Sequence, residues 1–264
     1  MARKLISFDW AMKKLLRSKA NFDILEGFLS ELLKETIQIL AILESEGNQE
    51  NCQDKFNCID LKVKNHKNEV IIVEVRYERQ FDYLQRVVFG TDKSITGYLQ
   101  QGDLYSDVVR VISVNILCFD LSQGEDYVYH GLTHFKDLRR HDMLQLSENE
   151  QALYQKNQLQ ELFPEYYLIR LNNFDDITED KLDEWVYFLK NGEIKADFKA
   201  KGIKKAQQAL DILQLSDKEY QSYAHYQDNL HYQASMMESS YTIGMLKGIR
   251  KGREEGIKEN VRKE

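Results

Sequence analysis

The chain has 264 residues, a formal net charge of -7 at neutral pH and 42% hydrophobic residues. This length and composition predict a folded domain with a substantial core and exclude a disordered or fibrous protein. The acidic balance excludes a broadly basic nucleic-acid-binding surface, so any contact with DNA must depend on local clusters of cations or on metal ions.

The cysteines predict free thiols. Cys52, Cys58 and Cys118 are odd in number and lack the paired spacing of a zinc site. The sequence also shows no recognisable signal peptide and no apolar run long enough to cross a bilayer. These features together predict a cytoplasmic protein with no membrane contact.

Two helices are predicted at the start of the chain. The first begins at Ser7 or Phe8 and ends at about Arg17, and the second begins after Asn21, which can cap it. The second helix has an apolar stripe that is expected to pack on a sheet. This stripe consists of Phe22, Leu25, Phe28, Leu29, Leu32 and Leu33.

A β-hairpin is predicted next. Two segments rich in β-branched residues, 58–64 and 70–77, flank a turn-like stretch at 65–69. Pairing Lys64 with Val70 makes one face of the ribbon wholly aliphatic, whereas a slip of one residue would bury charged side chains. The aliphatic pairs in this register are Ile59 with Val75, Leu61 with Val73, and Val63 with Ile71.

The other face of the hairpin carries Asp60 directly across from Glu74. Opposed residues of this kind have Cβ atoms about 5 Å apart, and two carboxylates there repel each other by about 3 kcal/mol at an effective dielectric constant near 20. A divalent cation would offset this repulsion, and Mg²⁺ is usual where carboxylates share it with water and phosphate oxygens. The alternative is neutralisation by Lys62 and Arg76, because solvated strand faces often mix charges.

Helices and strands are predicted to alternate after the hairpin. Apolar residues recur at helical spacing between 81 and 102, where Leu84, Val88 and Ile95 mark the expected buried stripe. The nearly continuous apolar run at 108–119 predicts a central strand covered on both faces. The remaining predictions here are a strand at 127–133, a helix within 146–161 and a strand at 164–171.

The last third of the chain is predicted to be helical. A helix is expected to start near 178–181, and glycine recurs at every fourth position from Gly244 to Gly256. Each interior glycine costs a helix about 1 kcal/mol relative to alanine, so this tail is expected to fold when it is paired. The predicted domains are a core at 1–172, a helical extension at 173–242 and the charged glycine-repeat tail at 243–264.

The order of these motifs resembles the Rpn family of recombination-promoting nucleases, also described as PD-(D/E)XK nuclease family transposases. The matching residues are the opening segment Phe8–Leu16, Phe28–Leu33, the Asp60 hairpin with Glu74-Val75-Arg76, then Arg86, Gly102, Tyr105, 108–119, Trp185–Lys190 and the glycine repeat. The fold that the resemblance implies is an α/β restriction-endonuclease-like core. Such a core has a mixed central sheet flanked by helices, here followed by a C-terminal helical extension.

The resemblance implies a metal-dependent DNA endonuclease that acts in DNA recombination. Asp60, Glu74 and the carbonyl group of Val75 are then the expected ligands of Mg²⁺ or Mn²⁺, and Asp60, Glu74 and Arg76 are the expected catalytic residues. DNA contacts are expected from Lys62, Gln85 and Arg86, and a homodimer is a possible assembly. Two further acids, Glu26 and Glu31, are alternatives for a third carboxylate, and the sequence does not choose between them.

Two positions depart from the family pattern. The family usually has glutamine two residues after the glutamate, and most PD-(D/E)XK enzymes have lysine, whereas this chain has Arg76. Arginine can bind a phosphate but cannot lose its proton in a protein, so it cannot act as a general base. The alternative function is therefore a catalytically impaired nuclease fold that binds DNA or a protein partner. The opening segment has Met12 in place of the usual phenylalanine.

Overall fold

Six strands form one mixed sheet in the computed structural model, which describes residues 5–14, 16–43, 61–77, 79, 82–97, 108–212 and 215–261. The strands are β1 (Ile39–Ile42), β2 (Leu61–Asn65), β3 (Val70–Arg76), β4 (Val111–Leu117), β5 (Val128–Gly131) and β6 (Glu165–Arg170). The helices are α1 (Phe8–Lys14), α2 (Phe22–Leu33), α3 (Tyr83–Thr96), α4 (Glu148–Tyr154), α5 (Lys181–Asn191), α6 (Ile203–Ala209) and α7 (Asp217–Val261).

The sheet combines antiparallel and parallel pairing. Its strand order is β1-β2-β3-β4-β6-β5, in which β1, β2 and β3 form an antiparallel meander and β4 lies parallel to both β3 and β6. A parallel neighbour requires a crossover connection, and α3 supplies it between β3 and β4. The predicted fold class, a mixed sheet flanked by helices with a C-terminal helix, is confirmed.

The hairpin of β2 and β3 has the predicted register over its described residues. The observed pairs include Leu61 with Val73, Val63 with Ile71, and Lys64 with Val70. Asn65 shapes the turn, because its Oδ1 atom accepts hydrogen bonds from the backbone N–H groups of Lys67 at 3.0 Å and Glu69 at 2.8 Å. The predicted contacts of Ile59 and Asp60 lie outside the described residues.

The buried face of α3 differs from the prediction. Leu84 and Val88 were expected to be buried, but they are 46% and 58% exposed. The buried residues are instead Tyr83, Val87, Thr91 and Ser94. The Thr91 hydroxyl donates to the Val87 carbonyl oxygen at 2.8 Å, so this polar side chain is buried without losing its hydrogen bond. The predicted end of this helix near 102 lies outside the described residues.

Other element boundaries also differ from the predictions. The first helix ends at Lys14 rather than at about Arg17. The α-helix predicted within 146–161 is shorter than this range and corresponds to α4. It begins after a capping box at Ser147, and it ends before Gln155, whose backbone is in the left-handed conformation. Strand β1 was not predicted, since four residues give little periodic signal. The predicted strands at 108–119, 127–133 and 164–171 are confirmed as β4, β5 and β6.

An aromatic cluster joins the first helices of the chain to α5. The ring centroid of Phe28 lies 5.7 Å from that of Phe8 and 5.8 Å from that of Trp185, and Phe188 lies 6.1 Å from Phe8. Aromatic pairs at such distances stabilise a core beyond the area they bury. The backbone N–H of Ile6 also donates to a carbonyl oxygen near the end of α6, that of Leu210, at 2.8 Å. Residues from the start of the chain, from α5 and from the end of α6 therefore pack together in one core.

Close packing of two backbones predicts a strong effect at Gly27 in α2. A Cβ atom there would lie 2.1 Å from the carbonyl oxygen of Lys201 and 2.7 Å from its carbonyl carbon. We expect Gly27→Ala to destabilise the fold by about 1–3 kcal/mol, because the backbone at Lys201 must move. Urea denaturation measures this change in the free energy of unfolding.

Gly90→Ala is the matched control, since Gly90 also lies inside a helix but a Cβ atom there meets no described atom within 4 Å. This control is expected to stabilise the fold by about 0.5–1 kcal/mol through helix propensity. A Gly27→Ala variant that gains stability like the control would contradict the close approach.

A buried network of ion pairs lies at the end of the sheet where β3 and β6 begin. Glu69 is 2% exposed and accepts from Asn65 at 2.8 Å, Arg110 at 3.2 Å and Lys156 at 3.3 Å, while Arg110 also binds Glu165. Burial alone would raise the pKa of Glu69, but the Asn65 hydrogen bond and the two cations outweigh it and lower that pKa. This network ties the β2–β3 turn to the segment between β5 and β6.

The chain divides into two compact units, Met1–Gln214 and Leu215–Glu264. The second unit is mainly the 45-residue helix α7, which confirms the helical prediction for this part of the chain. Gly244, Gly248 and Gly252 lie within it, and a Cβ atom at any of them would meet no described atom within 4 Å. Among the helices of the described ranges, none has the length and apolar content needed to cross a bilayer. The boundaries at 172/173 and 242/243, and the pairing of the tail, stay predictions.

Candidate active site

The end of β3 presents a carboxylate and a guanidinium group on one face of the sheet. Glu74 and Arg76 alternate with the buried Val75 along the strand, so their side chains share a face. The Nη2 atom of Arg76 donates to Oε2 of Glu74 at 3.1 Å, and the two side chains are 17% and 12% exposed. Glu74, one of the two predicted acids, therefore lies partly exposed at the end of β3, next to a cation.

The neighbouring strand supplies a buried amide beside Glu74. Asn115 pairs with Glu74 in the parallel register and is 1% exposed. Its Oδ1 atom accepts from the hydroxyl of Tyr83 at 3.0 Å, and its Nδ2 atom donates to Oγ of Ser113 at 3.0 Å. A fully bonded polar group of this kind fixes α3 against the sheet beside the site. Asn115 was not among the predicted site residues, although a polar asparagine within the apolar run of β4 is a signal that the sequence carries.

Cations from β2 and α3 border the same face. Lys62 pairs with Ile72, two residues before Glu74, and its side chain lies on the face of Glu74. Burial, and after it the charge of Lys93 in α3, lowers the pKa of Lys62. Of the two α3 residues predicted to contact DNA, Gln85 is exposed and Arg86 is half-buried. The roles predicted for these residues stay predictions.

The two alternative acids, Glu26 and Glu31, and Asp9 in the opening segment that resembles the family's have hydrogen-bond partners in the described structure. Asp9 is 1% exposed and accepts from the hydroxyl of Tyr77, the residue after β3, at 2.9 Å. Burial, and after it the negative charge of Asp9, raises the pKa of the free Cys118 thiol to about 12. Glu26 accepts from the backbone N–H of Ile39 at 2.7 Å, which fixes the start of β1. Glu31 accepts from the backbone of Lys201 at 3.4 Å.

The described donor atoms suit a hard divalent cation. Glu74 offers carboxylate oxygens and Val75 a backbone carbonyl oxygen, and Mg²⁺ takes oxygen ligands of both kinds. Within the ranges that the structure describes, no three His, Cys, Asp or Glu side chains converge as a complete metal site. Asp60, the predicted second carboxylate, lies just before β2 and outside the described residues.

Comparison with known proteins adds one finding. A family model described as PD-(D/E)XK nuclease family transposase matches residues 6–240 of the chain. This match includes the sheet, the Glu74-Val75-Arg76 motif and the first half of α7. No curated protein and no solved structure matches the chain significantly.

Proposed function

Because the chain belongs to the PD-(D/E)XK nuclease family transposases, we propose that it hydrolyses phosphodiester bonds in DNA with a divalent metal ion. The observation that carries this proposal is the Glu74–Arg76 pair at the end of the central strand β3, where a carboxylate and a guanidinium group are both partly exposed. The proposed biological role of this cleavage is in DNA recombination or in the mobilisation of a DNA element. Mg²⁺ is the proposed ion and Mn²⁺ the substitute.

Three residues are proposed to hold the metal ion. Glu74 binds it through its carboxylate, Val75 through its backbone carbonyl group, and Asp60 through a second carboxylate. The observed register of the described hairpin supports this assignment, since the same register continued by one residue would bring Asp60 opposite Glu74. When bound, the ion supplies Lewis-acid chemistry that polarises a phosphoryl oxygen and lowers the pKa of water. The ion also offsets the repulsion between the two carboxylates.

Arg76 is proposed to stabilise the negative charge that develops on the phosphate. Its planar guanidinium group can donate two parallel hydrogen bonds to phosphate oxygens. Since arginine keeps its proton, Arg76 serves as an electrostatic group and not as the general base. The hydrogen bond at 3.1 Å to Glu74 orients the guanidinium group toward the proposed metal site.

A second candidate function is a nuclease fold without catalytic competence. The observation that favours it is the same ion pair, because Arg76 already neutralises the carboxylate that a metal ion would otherwise neutralise. Such a protein would bind DNA or a protein partner through its surface while leaving the DNA intact. Substitutions at Arg76 distinguish the two functions.

We also propose a symmetric homodimer. A nuclease with one active site in each chain cuts both strands of a duplex most simply as two copies related by a twofold axis. Light scattering on the purified protein, alone and with duplex DNA, tests this proposal, which requires a protein mass of two chains.

Supercoiled plasmid tests the catalytic proposal. At low salt with Mg²⁺ or Mn²⁺, the purified protein is expected to produce nicked and linear DNA, and EDTA is expected to stop the reaction because the metal ion is removed. Asp60→Ala, purified in the same way, controls for a contaminating nuclease and should be inactive. If the plasmid stays supercoiled with both metals, the second candidate function is the better account.

A further inference from the structure

One side of α3 brings cations next to the sheet face that carries Glu74. Arg86 and Lys93 are seven residues apart, which is two helical turns, so they share one side of the helix. Lys62 lies on that sheet face, diagonal to Glu74, and a long side chain reaches across such a diagonal. Ile95 of α3 packs against the buried cluster of Val70, Ile72 and Val111, and Ile72 pairs with Lys62. The second half of α3, which carries Lys93, therefore lies over the part of the sheet that carries Lys62.

A glycine lies between the two cations of the helix. Gly90 lies four residues after Arg86 and three before Lys93, on the same side of the helix. A Cβ atom at this position would meet no described atom within 4 Å, so packing within the described part of the chain does not require glycine here. Glycine also destabilises a helix relative to alanine. The adjacent Phe89 is 56% exposed, so an aromatic side chain lies next to Gly90.

We propose that Arg86, Gly90, Lys93 and Lys62 form a phosphate-binding groove for the DNA strand that flanks the scissile bond. This inference rests on the proposed function, because it takes DNA as the ligand. The cations bind phosphate oxygens of one strand, and Gly90 lets the sugar-phosphate backbone approach the helix closely. Arg86 and Lys93 are about 10 Å apart along the helix axis, a distance that spans about three nucleotides at the axial rise of one DNA strand.

Charge complementarity favours a nucleic-acid strand as the occupant. The whole chain carries a net charge of -7, so long-range electrostatics oppose the approach of DNA and a local group of cations must supply the attraction. Each phosphate contact releases counterions, and losing one makes the negative slope of log affinity against log salt concentration shallower by about 0.9. At 0.1 M salt, the loss of one contact corresponds to about a 5- to 10-fold weaker affinity.

Fluorescence anisotropy with a labelled DNA duplex of mixed sequence, in EDTA and from 50 to 200 mM salt, tests the groove without cleavage. Lys93→Ala is expected to bind about 5- to 10-fold more weakly at 0.1 M salt, with a negative salt slope that is shallower by about 0.9. Gly90→Ala is expected to unfold at a higher urea concentration and yet to bind DNA at least about 3-fold more weakly, because the methyl group fills the groove. Lys64→Ala is the matched control, since Lys64 shares the strand and face of Lys62 but lies farther from Glu74.

The outcomes separate this inference from the proposed function. Wild-type affinity and salt slope in both Lys93→Ala and Gly90→Ala overturn the groove, even if plasmid cleavage is observed. A wild-type protein that binds no duplex overturns the groove as well. The expected binding changes support the groove even if the wild-type protein fails to cut plasmid, and in that case only the catalytic proposal fails. Equal weakening by Lys64→Ala contradicts the groove, because it shows general attraction by surface charge.

Discussion

Glu74→Gln is expected to abolish metal-dependent DNA cleavage, with a rate loss of about 10²- to 10³-fold or more. Glutamine keeps the size of the side chain and can still accept a hydrogen bond from Arg76, but it lacks the negative charge that binds a divalent cation. The substitution therefore separates metal binding from packing. Single-turnover cleavage of a labelled duplex, at saturating protein, measures the loss directly.

A second readout checks that the loss comes from the metal site. Ligands that bind only the folded state raise the melting temperature, so Mg²⁺ is expected to stabilise the wild-type protein and not the Glu74→Gln variant. Glu125→Gln is the control, because Glu125 is an exposed acid outside the site. Full cleavage by Glu74→Gln, or equal stabilisation of it by Mg²⁺, would show that Glu74 is not a metal ligand.

Arg76→Ala is expected to lower the catalytic rate by about 10²- to 10³-fold while changing the Michaelis constant little. The reason is that a guanidinium group aimed at the developing phosphate charge acts more strongly in the transition state than in the bound substrate. Arg76→Lys keeps the positive charge and is expected to retain part of the activity, although it loses bidentate binding. Steady-state cleavage across a range of DNA concentrations separates the two constants.

The same position decides between the two candidate functions. An active wild-type protein that loses activity in Arg76→Ala supports the nuclease. Activity that appears only in Arg76→Lys or Arg76→Gln supports the catalytically impaired fold, because it shows that Arg76 itself blocks the reaction. Arg79→Ala is the control, since Arg79 is an exposed arginine shortly after β3. An equal loss in this control would assign the effect to surface charge.

The β2–β3 hairpin was predictable to the level of single residue pairs. The register that pairs Lys64 with Val70 places Leu61, Val63, Ile71 and Val73 on a common face, whereas a slip of one residue would not, and the observed pairing has that register. Once the register is known, the alternation of side chains along β3 puts Glu74 and Arg76 on the opposite face. This part of the candidate site therefore follows from local pattern alone.

The buried face of α3 was not predictable in this way. Its position depends on the Tyr83 hydroxyl, which reaches Asn115 on a strand that comes 32 residues later. Thr91 and Ser94 are buried on the same face even though their side chains are polar. Helical periodicity of apolar residues selected Leu84 and Val88 because it carries no information about such distant partners. The polar network at Glu69 escaped prediction for the same reason.

The aromatic cluster of the first unit has a consequence for the order in which the chain folds. Phe8 and Phe28 pack on Trp185, and about 160 residues separate Phe28 from this partner. At a synthesis rate of about 5–20 residues per second, about 10–30 s pass between the synthesis of α2 and that of α5. During this time the apolar sides of α1 and α2 lack their partner. A chain released before Trp185 is made exposes these sides and lacks the residues that cover them, so such fragments are prone to aggregation.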